Sequence, residues 1–418
     1  MFRKISTLIA TICILMMCFA GCSKPQKSDP VSIIFATDMH YFSPELTDGG
    51  ELFKNAIAQG DGKVVEYSAQ INDAFFAEVM EKKPDLLVLG GDLTLNGAVK
   101  SHQEFAEKLQ TVQDSGVQVL VIPGNHDVDS ENAIRYLKDS VERVDALTSV
   151  DFLKLYENFG PAQAISRDEA SFSYMYKASE DLRILMIDAN CFGRGFVKDG
   201  TLQWLETVLE TAKNDGADVI TVTHQNLFAH SPLLSFGYQL YNADALQEIL
   251  AEYDVKLNLS GHIHIQSIVT ENGITEIATS SLEMAPIQYG ELTYAGGEVA
   301  YCVQRTDVSG WAKAQNLIDA AFDDFAKYAT DYYEYTSRLK IYQSAANSPL
   351  TQEEIELLAQ TFAKANTYYF SGETFDPAEF RDGISLLESR TELSFYKGYI
   401  SSIMDTANTE KRSITLEI

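Results

Sequence analysis

Short apolar runs rich in β-branched residues alternate with longer amphipathic segments over the first 260 residues of the chain. Each run has the length of a strand, and the segments between them repeat apolar residues at helical spacing. The predicted strands are 31–37, 85–90, 117–122, 182–187, 218–223 and 255–260. The predicted helices are 69–82, 101–114, 202–212 and 243–252. This alternation predicts an α/β fold whose sheets are covered by helices.

The pattern changes in the last third of the chain. Strand-like pieces with glycine-rich turns over 274–308 are expected to complete the second of two sheets. From 310 to 418, apolar residues recur every three or four positions, which predicts a helical C-terminal region. This period explains its aromatic side chains, so we expect them in a core rather than on a binding surface. The C-terminal helices and the insertion 129–159, which is charged and helical in pattern, are expected to frame a pocket.

The first 30 residues have the pattern of an export signal and a tether. Arg3 and Lys4 precede a mostly apolar stretch too short for a usual membrane span, and small residues then lead to Cys22. The run Phe-Ala-Gly-Cys resembles the lipobox of bacterial lipoproteins, in which the cysteine carries the lipid. We therefore predict a signal peptide at 1–21, lipidation at Cys22, a tether at 22–30, and a location on the extracytoplasmic face of a bacterial cell membrane. The alternatives are an ordinary cleaved signal and an uncleaved anchor.

Composition and cysteine content narrow the range of partners. With 60 acidic and 32 basic residues, the chain has a formal charge of -28. Such a charge repels nucleic acids and anionic bilayers, so we predict no nucleic-acid platform and membrane contact through the lipid anchor only. Of five cysteines, only Cys191 and Cys302 lie beyond the signal and the lipid residue. They can form one disulfide or remain two separate thiols.

Histidine, aspartate and asparagine residues cluster directly after the predicted strands. The chain has seven histidines, and five of them stand at such positions. The clustered residues are Asp38, His40, Asp92, Asn125, His126, His224, His262 and His264. Because ligands of open α/β sheets gather beyond the carboxyl ends of the strands, five segments are expected to deliver these side chains to one place.

The spacing and chemistry of these residues indicate a metal site. Asp38 and His40, like His262 and His264, are separated by one residue, so in an extended chain both members of a pair project from the same side. Glycines at positions 90, 91, 124 and 261 permit close backbone approach. Imidazole together with carboxylate and amide oxygens suits Mn, Fe, Zn, Ni or Co. The ligands are too many for one ion, which indicates a catalytic pair rather than a closed structural site.

Five blocks of the sequence resemble those of the calcineurin-like metallophosphoesterase family. They are TDMH, GGDLT, GNHD, the TH of VTHQN, and GHIH, in the order of that family. The resemblance covers 31–309 and implies a four-layer α/β/β/α sandwich, followed by the helical region 310–418. It implies that one ion is held by Asp38, His40, Asp92 and His264, and the other by Asp92, Asn125, His224 and His262. Asp92 would bridge the ions, and a hydroxide between them would be the nucleophile.

Other polar residues near these blocks are candidates for catalysis or substrate binding. His126 is similar to the family histidine that stabilises the transition state or protonates the leaving oxygen, and Asp127 would orient it. His230 is a candidate for either a contact to the substrate phosphate or a loop residue. Asn96 is a candidate for either a pocket residue or a turn residue. His102, in a predicted helix, is expected at the surface.

These features together predict a metal-dependent hydrolase of phosphate esters, of the phosphodiesterase or the phosphomonoesterase and nucleotidase type. The alternatives are a solute-binding lipoprotein and a structural surface lipoprotein with a non-catalytic metal site. Neither alternative accounts for a full ligand set that stands together with His126. The substrate is expected to be a small molecule or a polymer with a phosphate ester; the residues do not rank nucleotides, sugar phosphates, phospholipid head groups and polymers.

Overall fold

The structure, a computed structural model, describes residues 29–234 and 236–418 of the chain. The predicted signal peptide, the lipidation residue Cys22 and most of the tether therefore lie outside the described residues. Within the part of the chain that is described, no helix has the length and apolar character that a membrane crossing requires.

Two β-sheets and one hairpin contain the strands of the described residues. In chain order the strands are β1 Val31–Ala36, β2 Leu86–Leu89, β3 Gln118–Val121, β4 Ile134–Leu137, β5 Ser140–Arg143, β6 Ser166–Arg167, β7 Tyr174–Lys177, β8 Leu182–Met186, β9 Asp218–Val222, β10 Leu257–Ser260, β11 Ser267–Glu271, β12 Ile274–Ala278, β13 Gln288–Ala295, β14 Glu298–Arg305 and β15 Ser413–Glu417. The first sheet has the order β15-β14-β13-β1-β2-β3, and the second has the order β11-β12-β10-β9-β8-β7-β6. The six predicted strands correspond to β1, β2, β3, β8, β9 and β10.

The helices fall into two groups, one beside the sheets and one after them. In chain order they are α1 Glu51–Ala58, α2 Ser68–Lys82, α3 Val99–Asp114, α4 Ser149–Leu155, α5 Asp199–Asp215, α6 Ala243–Glu252, α7 Val308–Ala314, α8 Phe325–Ala345, α9 Gln352–Ser371, α10 Arg381–Ser389 and α11 Ser394–Met404. The four predicted helices correspond to α2, α3, α5 and α6. At the start of α9, the Thr351 hydroxyl accepts the Glu354 N–H and the Glu354 carboxylate accepts the Thr351 N–H, which forms a capping box.

The middle strands of each sheet are buried on both faces, which explains their continuous apolar sequence. Both β2 and β10 are buried at every residue. One hydrophobic core joins Phe35 and Leu87 of the first sheet to Ile184 and Leu257 of the second. Buried residues of α2 and α3 belong to this core, and those of α5 and α6 pack in a second cluster with the other sheet. The predicted four-layer α/β/β/α sandwich is thereby confirmed, as is a largely helical C-terminal region.

Three expectations about the fold are corrected. Strands β13 and β14 extend the first sheet instead of completing the second, because β13 pairs antiparallel with β1. The C-terminal region is not helical to its end, since β15 pairs antiparallel with β14 at the edge of the first sheet. The insertion 129–159 contains the β4-β5 hairpin before the short helix α4, so it is not mainly helical.

The structure answers the question of a disulfide between the two cysteines. Cys191 is buried and Cys302 is exposed, and both are free thiols, so no disulfide joins them.

The position of His102 differs from the expectation of a surface residue. His102 is buried in α3, with Nδ1 2.8 Å from the Tyr156 hydroxyl and Nε2 2.8 Å from the Asp127 carbonyl oxygen. Burial lowers the pKa of His102 to about 3. It is therefore a neutral residue that braces the loop after β3.

Candidate metal centre

Five parallel strands, three of the first sheet and two of the second, end at one cleft. The predicted ligands follow the ends of β1, β2, β3, β9 and β10: Asp38, His40, Asp92, Asn125, His224, His262 and His264. The structure thus brings together all seven predicted metal ligands. Their meeting point is the position where ligands bind to open α/β sheets.

The backbone at these positions is tightly turned. Five of the seven residues have a left-handed conformation, with φ of 53° at Asp38, 40° at His40, 48° at Asp92, 66° at His262 and 59° at His264. Such a conformation costs a residue other than glycine about 1–3 kcal/mol, and it persists where surrounding structure imposes it, often at functional sites. The two spaced pairs are therefore not extended, so the geometric reason given for their common direction is wrong although their convergence is observed.

Two glycines allow the loops to approach each other. A Cβ atom on Gly124 would lie 2.1 Å from Asp92 Oδ1, and one on Gly261 would lie 2.4 Å from Asp38 Oδ2. Neither position can hold a side chain unless the ligand loops move. The glycines thus serve the close backbone approach that the sequence predicts.

The first group of ligand atoms joins the ends of β1 and β10. The Asp38 Oδ1 atom lies 3.0 Å from His264 Nε2 and 3.6 Å from His40 Nε2. The two imidazole nitrogens, His40 Nε2 and His264 Nε2, are themselves 3.1 Å apart. Asp38 and His40 are fully buried. A largely buried set of one carboxylate and two imidazoles whose ligand atoms converge fits a transition-metal cation.

The second group lies beside the first, and Asp92 belongs to both. The Asp92 Oδ2 atom is 3.3 Å from His224 Nε2 and 3.9 Å from His40 Nε2. The Asn125 side-chain oxygen is 3.1 Å from His224 Nε2, and the ligand atoms of Asp92, His224 and His262 lie within 4.8 Å of one another. A carboxylate between two sets of imidazoles is suited to bridge a pair of ions.

Hydrogen bonds outside the cleft fix which ring nitrogens point inward. The His224 Nδ1–H donates to the Gly90 carbonyl oxygen at 2.9 Å, and the His262 Nε2–H donates to the Gly237 carbonyl oxygen at 3.0 Å. Carbonyl oxygens only accept, so the other nitrogen of each ring is the one that can offer a lone pair to a metal ion. Outer partners of this kind orient metal-binding histidines.

Opposite charges in the cluster change the proton affinity of its members. Burial would raise the pKa of Asp92, but the positive charge of His224 lowers it well below the usual range. Burial would lower the pKa of His224 and His264, but the negative charges of Asp92 and Asp38, respectively, raise both to about 9. Without metal, the cluster therefore holds protons at neutral pH.

Metal binding is expected to release about two protons per chain near pH 7.5, because His224 and His264 must lose their protons to act as ligands. The release should diminish above pH 9, where both rings are already neutral. Titration calorimetry of the metal-free protein with Mn²⁺, repeated in buffers of different ionisation enthalpy, measures it. A binding enthalpy that does not depend on the buffer would contradict this prediction.

His126 stands at the open side of the cluster. Its Nδ1–H donates to the Leu95 carbonyl oxygen at 2.6 Å, which leaves Nε2, 3.9 Å from Asp92 Oδ2, as the ring nitrogen without a backbone partner. Its side chain is 39% exposed, whereas those of His40 and His224 are 0% exposed. An accessible nitrogen beside the ligand groups can exchange a proton with a substrate in the cleft.

Asp127 does not orient His126, which corrects the role inferred from sequence. Its carboxylate accepts the backbone N–H groups of Leu93 at 3.0 Å, Thr94 at 2.9 Å and Gly124 at 2.8 Å. The Leu95 carbonyl oxygen takes the place expected for Asp127 at the His126 ring. Burial and the charge of Asp92 raise the pKa of Asp127 to about 7. Asp127 holds together the loops after β2 and β3.

Two candidate pocket residues lie away from the cluster. His230 is buried, with Nε2 3.1 Å from a carboxylate oxygen of Glu276, and it does not line the cavity at the metal centre. Asn96 accepts the Ala98 N–H at 3.3 Å and donates to the Ile134 carbonyl oxygen, as a turn residue does. It borders a separate cavity of about 230 Å³. The substrate-contact hypothesis is therefore wrong for His230, and the turn alternative describes Asn96.

The sequence interpretation missed Asp61 and Lys63, which lie between α1 and α2. The Asp61 Oδ2 atom is 3.3 Å from His264 Nδ1 and 2.6 Å from Lys63 Nζ. Asp61 thus contacts His264 from outside the cluster, as the carbonyl oxygens of Gly90 and Gly237 contact His224 and His262. The glycines at 60 and 62 signal a turn there, but nothing in the sequence links that turn to His264, which is about two hundred residues away.

Replacing Asp61 by asparagine is expected to weaken metal binding by about 10–100-fold, the usual effect of losing a carboxylate that orients a histidine ligand. Equilibrium dialysis with Zn²⁺ measures the affinity, and Asp48→Asn in the nearby exposed turn serves as the control. Unchanged affinity in Asp61→Asn would show that this contact does not support the site.

A cavity of about 580 Å³ opens at the metal centre. Asp92, His126, His262 and His264 form one side of it. Aromatic side chains of the C-terminal helices and of the loop after β9 line the rest, among them Tyr238, Tyr333, Phe362, Phe370, Phe395, Tyr396 and Tyr399. The C-terminal helices frame the pocket as expected, but the insertion 129–159 does not. The expectation that the C-terminal aromatics belong only to a core is wrong.

Comparison with known families gives two matches, one after the other along the chain. Residues 31–266 match the family described as calcineurin-like phosphoesterase, which is more than half of the chain. Residues 307–410 match the family described as the C-terminal domain of cyclic nucleotide phosphodiesterase.

Individual proteins agree with the first match. A protein named "Probable glycerophosphodiester phosphodiesterase" from Arcobacter nitrofigilis is 28% identical over 52% of this chain and 71% of its own. A cAMP/cGMP dual specificity phosphodiesterase of Mycobacterium tuberculosis is 27% identical over 51% of this chain and 69% of its own. The solved structure of a dimetal phosphatase from Danio rerio has a TM-score of 0.50 at 15% identity, and the match covers 66% of this chain and 97% of that one. At this level of identity, the similarity to the Danio rerio structure supports a common fold and nothing further.

Proposed function

Because this chain belongs to the calcineurin-like phosphoesterase family and is a metal-dependent hydrolase of phosphate esters, we propose that it acts on phosphodiesters that carry a ring system. Nucleoside cyclic monophosphates are the first class to test. The observation that supports this proposal most directly is the aromatic cavity that opens at the metal centre. Further support comes from the match over 307–410 and from relatives named as cyclic nucleotide phosphodiesterases.

The cavity favours a substrate with an aromatic group beyond the phosphate. Phe362 and Tyr399 are stacked with ring centroids 5.5 Å apart, and Tyr396 meets Phe362 edge to face at 5.3 Å. The Tyr399 hydroxyl donates to the Asn366 side-chain oxygen at 2.8 Å, which leaves the Asn366 amide N–H groups as donors. Flat apolar surfaces with a few polar donors suit heterocyclic bases. A bare phosphate or glycerol headgroup would leave most of this surface without a partner.

Two divalent or trivalent ions, of Mn, Fe, Zn, Ni or Co, would be held by the seven ligand residues. When bound, they supply an activated water and neutralise the charge of the phosphoryl oxygens. His126 then has the accessible nitrogen from which the leaving oxygen can take a proton. Asp92 keeps this histidine in place, since its Oδ1 atom accepts the His126 backbone N–H at 2.8 Å.

The test is a set of matched substrates given to the metal-loaded protein. We expect hydrolysis of 3′,5′-cyclic AMP and 3′,5′-cyclic GMP with higher kcat/KM than glycerophosphoethanolamine, and slow hydrolysis of 5′-AMP. A higher kcat/KM for glycerophosphoethanolamine would contradict the proposed substrate class and show that the protein prefers glycerophosphodiesters. Preference for 5′-AMP would show a phosphomonoesterase.

We also propose that the chain is exported and tethered through a lipid on Cys22, with membrane contact limited to that anchor. This proposal rests on the sequence of the first 30 residues. Expression in a Gram-positive bacterium with radiolabelled palmitate should label the wild type and not Cys22→Ser. Equal labelling of the two proteins, or none, would reject the anchor.

A further inference from the structure

Two lysines from distant parts of the chain line the cavity. Lys63 comes from the loop between α1 and α2, and Lys340 comes from α8 of the C-terminal region. Lys63 is buried, and its ammonium lies 2.6 Å from Asp61 Oδ2. Lys340 makes no ion pair within 4.0 Å among the described residues, although the charges of Asp61 and Lys63 both act on it. Asp61 is thus ion-paired with Lys63 and not with Lys340.

Lys63 lies on the outer side of a metal-ligand histidine. The His264 Nε2 atom is 3.0 Å from Asp38 Oδ1, while its Nδ1 is 3.3 Å from Asp61 Oδ2. The ammonium of Lys63, which is paired with Asp61, is therefore on the Nδ1 side of this ring and not on the side that faces Asp38. Asp61 is already shared between Lys63 and His264, so the charge of Lys340 has no full counterpart in the protein.

The positive charge of Lys340 stands in a strongly acidic chain. The formal charge is -28, and Lys327 of the same helix pairs with Asp331, whereas Lys340 forms no such pair among the described residues. An unpaired ammonium in a cavity next to a phosphate-binding centre is suited to receive an anion from the ligand. Aromatic side chains line the same cavity and can hold a ring of the ligand.

We propose that Lys340, supported by Lys63, binds a second anionic group of the substrate, so that the preferred phosphodiesters carry a further phosphate beyond the scissile one. The inference rests on the proposed function as a phosphodiesterase. It assigns to the C-terminal helices a charged contact with the substrate in addition to the aromatic wall.

A matched pair of dinucleotides tests it: ApA, which has only the scissile phosphodiester, and pApA, which adds a 5′-phosphate. A charge-assisted contact of this kind should raise kcat/KM for pApA over ApA by about tenfold or more. In Lys340→Gln this ratio should fall towards one, while Lys340→Arg should keep most of it. Lys327→Gln, on the outer face of the same helix, is the control and should keep both rates and their ratio.

Two results would overturn the inference: equal kcat/KM for ApA and pApA in the wild type, or the same ratio in Lys340→Gln as in the wild type. Failure of the proposed function has a different signature, since neither ApA nor pApA would then be hydrolysed. In that case the equilibrium binding of pApA and ApA to the metal-loaded protein decides. Tighter binding of pApA that depends on Lys340 supports the second anion site, and equal binding overturns it.

Discussion

Asp92→Asn is expected to lower kcat/KM for a phosphodiester by at least about 10³-fold, the upper range for loss of a single preorganised electrostatic group. The exchange removes the one carboxylate that stands between both groups of ligand atoms, 3.3 Å from His224 Nε2 and 3.9 Å from His40 Nε2. An asparagine keeps the shape and can still accept the His126 N–H through its side-chain oxygen. The loss would thus come from the missing charge rather than from a collapsed loop.

Steady-state kinetics and metal analysis of the purified variant measure this effect. Bound metal should fall below two ions per chain, while the circular dichroism spectrum stays that of the wild type. Asp139→Asn, in the exposed turn between β4 and β5, is the matched control and should be indistinguishable from the wild type. Wild-type activity in Asp92→Asn would show that the reaction takes place elsewhere.

His126→Ala is expected to reduce kcat by about 10²–10⁴-fold, the usual contribution of a general acid or base, and to leave the metal content unchanged. The size of the loss should depend on the leaving group. A nitrophenolate departs without a proton, so bis(p-nitrophenyl) phosphate should lose little activity, whereas 3′,5′-cyclic AMP, with its poor alkoxide leaving group, should lose most. This contrast separates proton donation from a structural effect of the substitution.

His40→Ala provides the comparison for a buried ligand and should lose metal together with activity on both substrates. The structure also places the His126 ligand atom within 4.8 Å of those of His40 and Asp92. If His126→Ala likewise lost metal, the residue would be a ligand rather than a proton donor. If both substrates were slowed equally with the metals retained, His126 would act by stabilising the transition state and not on the leaving group.

The sequence predicts the metal cluster well because each ligand directly follows a strand with a clear apolar pattern. Parallel strands that end at one cleft must bring such residues together, and this logic needs no knowledge of loop conformation. The loop conformation itself escapes prediction. Asp38 and His40 look like an extended pair, yet both are left-handed, and their backbone N–H groups donate to the Gly91 and Asp92 carbonyl oxygens of the loop after β2.

The surroundings of the metal cluster are harder to predict, because they depend on contacts between distant parts of the chain. Asp61 reaches His264 only through the tertiary fold, and Asp127 contacts backbone groups instead of its neighbour His126. The C-terminal aromatics fit a helical period, so the sequence alone assigns them to a core. Helical period does not distinguish a face packed on another helix from a face that borders a cavity, and Phe362 does both.

The sequence does not predict the pairing of β15 with β14, for a related reason. Residues 413–417 form an edge strand with exposed alternate positions, and a strand of this kind has little apolar signal. Its partner lies more than a hundred residues earlier in the chain. The contact ties residues 413–417 to the edge of the first sheet.

Metal reconstitution shows directly whether the protein is a dinuclear hydrolase. The protein is stripped with a chelator and titrated with Mn²⁺ while hydrolysis of bis(p-nitrophenyl) phosphate and bound metal are followed together. We expect no hydrolysis without metal and full activity only when the second ion per chain has bound. Full activity with one ion per chain, or activity that survives complete removal of metal, would contradict it.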